Sequence, residues 1–301
     1  MADGSILVVG GDNQAMPSVN GQNVIVNGRR GLRTYTPCPS GAEKSCTGTW
    51  KILPDMSSDR WYPTVVALPS GDAIIIGGHT KNIDFDHLAA TDDNPYYEYY
   101  PPKEGIWPKK LDILQWAFPH NLYAPSFLLP SGRVFILVSN RSIIIDPKDE
   151  SITHLPDLPP LDHSPWIYPH TPSMFVMPMT IANGFEFRLM ICGGSKLPRA
   201  DGIKDASNVC LSIKPDEPSD KAKWVVEESM PVGRLMPDSV LLPGTHIVIA
   251  FVDLFVLDGS VLMVNGLLQG QAGNIFVLLF KIIDRWKSRS SSIRSRSNLS
   301  N

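Results

Sequence analysis

One pattern returns through the chain: an apolar run, a turn carrying glycine, and a second apolar run closing on Gly-Gly or Asn-Gly. It is clearest in RWYPTVVALPSGDAIIIGG (60–78) and NLYAPSFLLPSGRVFILVSN (121–140), and longer in IYPHTPSMFVMPMTIANGFEFRLMICGG (167–194). A further copy begins at RLMPDSVLLP (234–243) and resumes at DGSVLMVNG (258–266), and the chain opens inside another, DGSILVVGG (3–11). The turn glycines Gly4, Gly71, Gly132, Gly184 and Gly259 mark units of roughly 50 to 75 residues, at or above the kelch repeat of about 50 residues. After each pair of runs come a polar stretch and further strand-like runs: LRTYTPC with TGTWKIL, PYYEYYPP, SIIIDPK, and NVCLSIKP with KWVVEE. Units of about four strands that cannot bury both faces alone must stack on their neighbours. The repeat therefore predicts an all-β, kelch-type β-propeller. Four-stranded antiparallel sheets are expected at 1–55, 56–116, 117–160 and 161–230, with an incomplete fifth after them. A β-sandwich would not explain why the whole motif recurs.

The composition agrees. The 23 glycines and 27 prolines among 301 residues exceed the usual share of about 12% of a chain, as frequent chain reversals require. Apolar residues make up 43%, enough to fill the layers between sheets. The net charge of −3 conceals an asymmetry, because residues 281–301 hold six Lys/Arg against one Asp. The acidic remainder gives no reason to expect nucleic-acid binding. The most apolar stretch, HIVIAFVDLFVLDGSVLMV (246–264), is interrupted by Asp253, Asp258 and Gly259, which argues against a membrane span. The N-terminal MADGSILVVGG enters a strand-like run directly and does not read as a signal peptide. The four cysteines fall as Cys38/Cys46 and Cys192/Cys210 without metal-finger spacing. A short loop closed by Cys38 and Cys46 would suit an oxidising compartment; four buried thiols are the alternative.

Two segments break the rhythm. Residues 244–257 separate LLP from DGSVLMVNG, and deleting them restores an uninterrupted copy. From residue 274 the turn chemistry stops and the chain passes into a Ser/Arg run. Both are read as foreign to the repeat, from translated non-coding sequence or a frame change, and 274–301 is expected to be a disordered basic tail. The first 273 residues form the propeller segment.

On these residues the chain resembles the copper radical oxidases, specifically the glyoxal oxidase branch related to galactose oxidase. The motifs that carry the resemblance are GGDN (10–13), RTYTPC (33–38), RWYPT (60–64), NPYYEYYP (94–101), NLYAPSFLLPSG (121–132), CGG (192–194), MPVGRLMPDSVLLP (230–243) and VLMVNGLLQGQAG (261–273). They run in family order, and RWYPT, NPYYEYYP and MPVGRLMPD are the most specific. The resemblance implies a seven-bladed propeller followed by a small β-domain, of which this chain supplies about four blades and the start of a fifth. It also implies a copper ion near the propeller axis, held by a radical-bearing tyrosine linked to a cysteine, an axial tyrosine and two histidines. Such a site oxidises small aldehydes such as glyoxal or methylglyoxal to acids and reduces dioxygen to hydrogen peroxide. A redox metal in a nitrogen/oxygen site with an open position suits that task.

By the same resemblance, Tyr62 of RWYPT is the radical tyrosine and a copper ligand. It begins the first strand of a blade, the strand nearest the axis. Tyr123 and Tyr168 are read as occupying similar positions in their own repeats; each alone reads as a packed aromatic. Arg60 and Trp61 are supporting residues, with Trp61 a candidate cover for the tyrosine ring. His79 follows Gly77-Gly78 where galactose oxidase has a tryptophan near the radical; it lines the site or is a solvated loop histidine. The linking cysteine of the family would fall before Met1, and no Tyr-His-Ser tripeptide is present to supply the axial tyrosine and a histidine. His79, His87, His120, His154, His163, His170 and His246 match no ligand position. Cys38 and Cys46 match a different, disulfide-like pair. The expectation is that this chain alone binds no copper and is inactive, and that the intact protein is secreted. The alternative is a non-catalytic kelch propeller that binds proteins or glycans through its loops.

Overall fold

The computed structural model describes residues 1–12, 27–41, 46–82, 89–105, 107–160, 168, 170–195 and 206–239, together with the strand backbones of 247–257, 260–271 and 274–280. Five antiparallel sheets follow one another along the chain. The first holds β1 (Ile6–Val9), β2 (Leu32–Thr36) and β3 (Thr49–Leu53). The second holds β4 (Thr64–Ala67), β5 (Ala73–Ile76), β6 (Tyr96–Tyr100) and β7 (Lys109–Lys110). The third holds β8 (Ser126–Leu128), β9 (Val134–Val138), β10 (Arg141–Ile145) and β11 (Ile152–His154). The fourth holds β12 (Ser173–Val176), β13 (Leu189–Cys192), β14 (Cys210–Ile213) and β15 (Val225–Val226). Within each of these the strands pair in chain order, as blades of a propeller do. The first sheet has three described strands, because β1 corresponds to the second strand of the other blades.

Each blade's second strand shows why the sheets stack. In β5, Ile74 and Ile76 pack with Val134, Ile136 and Val138 of the third sheet, while Ile75 between them packs with Leu32 and Leu53 of the first. In β9, Phe135 and Leu137 turn the other way, onto Leu189, Ile191, Leu211 and Ile213 of the fourth sheet. Side chains alternate across a strand. A strand between two other blades must therefore be apolar at every position, which is the reading AIII and VFILV give. All nine of those residues are buried.

Departures from the repeat are few. A short helix, α1 (Asp112–Ala117), links the second and third blades. Its Ile113 and Leu114 join the core between those blades. No pattern in LDILQWAF set it apart from a strand-to-strand connection, since six residues are too few to show helical periodicity. The last sheet is unlike a blade: β16 (Ile247–Leu257), β17 (Ser260–Gln271) and β18 (Asn274–Phe280) form a meander of long strands. The segment read as an insert is thus mostly strand, with Leu257 paired to Ser260. The segment read as a disordered tail starts with a strand, Gln271 pairing with Asn274. Both are runs of β-branched and aromatic residues, which favour strand pairing whatever their origin. The basic residues 281–301 lie outside the described residues.

Candidate functional site

The site grows from the entry to the first strand of each blade. Two residues before β4, Tyr62 has a left-handed backbone (φ 55°), uncommon for a bulky residue and a form of strain that collects at functional sites. Tyr123 (φ 50°), three residues before β8, and Met236 (φ 50°) share this conformation at the corresponding points of their repeats. The turns are linked from blade to blade: the Tyr123 N–H donates to the Tyr62 carbonyl at 3.1 Å, and the Met236 N–H donates to the Thr171 carbonyl at 3.1 Å. Each first strand thus enters the sheet against its neighbour, and the side chains at these turns gather at one end of the axis.

Tyr62, Tyr123 and Tyr168 do converge. The Tyr62 and Tyr168 rings lie 4.3 Å apart, tilted by 34°. Tyr123 stands edge-on to Tyr62 at 6.2 Å and lies 6.5 Å from Tyr168. Trp61 packs perpendicular to Tyr62 at 4.4 Å and reaches Tyr168 at 6.3 Å. Burial first, and then the neighbouring Tyr62 hydroxyl, push the Tyr168 phenol well above its ordinary range. Tyr168 does not, however, hold the repeat position of Tyr62. The Ser195 N–H donates to the His170 carbonyl in the fourth blade, where the His79 N–H donates to the Trp61 carbonyl in the second. His170 therefore matches Trp61, and Thr171 matches Tyr62. Tyr168 reaches the cluster from the loop three residues upstream. The IYPHTPS spacing hid this, since its tyrosine also precedes a proline.

Arg60 anchors the Tyr62 turn from beneath. Its guanidinium is fully buried. Nε donates to Glu98 Oε1 at 2.8 Å, Nη2 lies 2.8 Å from the same oxygen, and Nη1 donates to the carbonyls of Gly77 and Tyr96 at 2.7 and 2.9 Å. Glu98 also accepts from the backbone and hydroxyl of Ser57. Glu98 is the inward-facing carboxylate of YYEYY, a run whose aromatics conceal it from sequence reading.

His79 is no solvated loop residue: it is 0% exposed. Two backbone hydrogen bonds, at 2.7 and 2.9 Å, tie it to Trp61. Its Nε2 meets Asn121 Oδ1 at 2.6 Å, while Asn121 Nδ2 donates to Asp93 and to the Leu114 carbonyl. The Asn oxygen can only accept, so His79 is the Nε2–H tautomer. Burial lowers its basicity, opposed by Asn121 and Asp92. His79 supports Trp61 from behind and lines neither cavity at the tyrosines.

Two cavities open there. One, of about 290 Å³, is bounded by Asp12, Trp61, Tyr62 and Tyr123. The other, of about 570 Å³, runs past Tyr123, Tyr168, Thr171, Met236 and Asp238. Among the described residues no group of three or more His, Cys, Asp or Glu side chains is placed to hold a metal ion. Phenols without nitrogen donors do not complete a copper site. Away from the site, Cys38–Cys46 and Cys192–Cys210 are disulfide-bonded, with Cα atoms 5.8 and 4.2 Å apart. The second joins directly opposite residues of β13 and β14. No helix among the described residues is long and apolar enough to cross a membrane.

The family described as glyoxal oxidase N-terminus matches residues 1–277. The chain is 28% identical to aldehyde oxidase GLOX of Vitis pseudoreticulata, an alignment covering 91% of this chain and 44% of that protein. It is 30% identical to aldehyde oxidase GLOX1 of Arabidopsis thaliana, covering 85% of this chain and 38% of that one. It thus spans less than half the length of these relatives. Among solved structures, a fungal alcohol oxidase of the AA5 family, in complex with copper, superposes with a TM-score of 0.61 at 16% identity, covering 92% of this chain and 52% of its own. That likeness establishes the fold, a partial β-propeller. The match over residues 1–277 places the chain in the glyoxal oxidase family, as a segment corresponding to its N-terminal region.

Proposed function

We propose that the protein containing this segment is a copper radical oxidase that converts small aldehydes such as glyoxal and methylglyoxal to carboxylic acids and reduces dioxygen to hydrogen peroxide, with Tyr62 as its redox phenol. One observation carries the reading: Tyr62 is held in a left-handed turn at the axial end of the blades, with the rings of Trp61, Tyr168 and Tyr123 around it. A phenol that must lose and regain an electron benefits from a fixed position and from neighbours that screen its ring, and this arrangement offers both. The Arg60–Glu98 pair beneath it holds the turn to β6, so the position does not depend on a bound group. The small-aldehyde preference, the copper and an extracellular location come from family kinship and are part of the proposal.

The test uses the full-length gene product loaded with copper. It should consume oxygen with glyoxal and release peroxide, and Tyr62→Phe should abolish both the radical absorption and turnover while circular dichroism stays unchanged. Wild-type turnover in the Phe variant would reject Tyr62; absence of peroxide from the copper-loaded wild type with any small aldehyde would reject the activity.

A further inference from the structure

We propose that Tyr123 is the electron-transfer port of the Tyr62 site, exchanging single electrons with soluble redox partners and passing them to Tyr62 directly and by way of Tyr168. The proposal rests on the reading of Tyr62 as a redox phenol, but its test needs no copper.

The argument is geometric. Tyr123 is 56% exposed, whereas Tyr62 and Tyr168 are half-buried. Its ring is 6.2 Å from that of Tyr62 and 6.5 Å from that of Tyr168, and the closely packed Tyr62–Tyr168 pair completes the triangle at 4.3 Å. Electrons pass more readily between aromatic rings in contact than through saturated side chains. A hole created on Tyr123 therefore has two short routes inward. Placement is fixed as well as short, since Tyr123 is held by its backbone bond to the Tyr62 carbonyl and by its left-handed turn. Packing alone does not explain the residue: a ring this exposed buries little apolar surface, and strain at φ 50° is stored for it. Tyr123 also separates the two cavities, forming part of the wall of each, where a small soluble partner can reach it.

The step balances as follows. A soluble one-electron oxidant, here hexachloroiridate(IV), takes one electron from the Tyr123 phenol and is reduced to iridium(III). The phenol releases its hydroxyl proton to water. Tyr62 or Tyr168 then gives an electron to the Tyr123 radical and a proton to solvent, and Tyr123 is restored with a proton taken up. Two such events on the Tyr62–Tyr168 pair remove two electrons and two protons. They allow one carbon–carbon bond to form between the rings, a dityrosine.

The experiment oxidises the metal-free 301-residue chain with hexachloroiridate(IV) and measures the Tyr62–Tyr168 cross-link by peptide mapping and dityrosine fluorescence. Three proteins are compared: wild type, Tyr123→Phe and Tyr123→Trp. Phe keeps the shape but cannot carry the hole; Trp changes the shape but can. The expected result is a cross-link in wild type, at least a five-fold lower yield in Tyr123→Phe, and recovery in Tyr123→Trp. A purely structural role would rank the variants the other way. An unchanged yield in Tyr123→Phe, no recovery in Tyr123→Trp, or no cross-link in wild type would each overturn the proposal. Because copper is absent throughout, failure here leaves the oxidase reading standing, and failure of that reading leaves this result intact.

Discussion

Arg60 and Glu98 show what a single pair does for the site. A guanidinium with no exposure, bound to one carboxylate and two carbonyls, cannot lose its counter-charge without leaving a buried cation. Glu98→Gln should therefore cost about 3–5 kcal/mol, the range for breaking a buried pair from one side. The double variant Arg60→Met/Glu98→Met should recover much of it, and urea denaturation of all three proteins measures both. His79 makes a pH prediction. Burial holds its folded-state basicity below the ordinary value, so the unfolded chain takes up a proton near pH 6.5 that the folded chain refuses. The stability due to neutral His79 is complete above that pH and is lost as the pH falls toward the folded-state value. His120 and His170 shift in the same direction, also through burial, while the burial-raised carboxyl of Asp93 opposes them. His79→Gln should consequently show a smaller drop in unfolding free energy between pH 7 and pH 5 than wild type; an equal drop would contradict the assignment. Such partners also mark the limit of what the residues revealed alone. RWYPT pointed to Tyr62 because its motif is local. Glu98, the Asn121 bridge to His79 and the true repeat position beside Tyr168 all depend on which blade faces which, and that information is not local.

At the scale of the element, the repeat was legible because every blade solves the same packing problem. The alternation of Ile74, Ile75 and Ile76 between two interfaces leaves a continuous apolar run that no surface strand would show. The first glycine of two Gly-Gly pairs, Gly10-Gly11 and Gly193-Gly194, has a second reason. A Cβ on Gly193 (φ +79°) would come within 2.8 Å of the Arg234 carbonyl oxygen. Gly10 (φ +70°) meets the Arg60 carbonyl oxygen at the same 2.8 Å. The glycine admits the next blade's arginine turn, so the pattern encodes blade contact as well as turn shape. Gly132 (φ +83°) offers a control, since its nearest neighbour would be 4.0 Å away. Gly132→Ala should cost only the backbone penalty of about 1–2 kcal/mol. Gly193→Ala must also displace backbone and should cost at least about 1 kcal/mol more; equal midpoints in denaturant would refute the account. What the repeat could not show was α1 or the long strands β16 to β18, because a template identifies its own copies and is silent about what lies between or after them.

For the molecule as a whole, the blades form an arc, and the arc has an outer face at its first sheet. Leu7, Val9, Leu32 and Leu53 face the second sheet. The opposite side of the same strands carries Ile6, Tyr35 and Trp50 in one cross-strand row, with Val8, Arg33 and Ile52 in the next. There Trp50 is 60% and Ile52 87% exposed, more than Ile152, Val225 and Val226 on the fourth strands of other blades, at 43%, 51% and 53%. A stripe of this kind is an association surface rather than a stabilising one. Replacing Ile52 by Lys removes apolar area that already faces water, so the unfolding free energy should stay within about 0.5 kcal/mol of wild type. Self-association should respond strongly, because a charge set among Ile6, Val8 and Trp50 would have to be desolvated whenever two such faces met. Sedimentation velocity over a concentration series should show wild type shifting to larger species as concentration rises, and Ile52→Lys shifting less. Substitution at Ile75, at the same depth of strand but enclosed between two blades, is the internal comparison. Ile75→Lys should unfold the chain rather than solubilise it. If Ile52→Lys lowered stability as Ile75→Lys does, the first sheet would be enclosed in solution; if it left association unchanged, the chains would be meeting elsewhere.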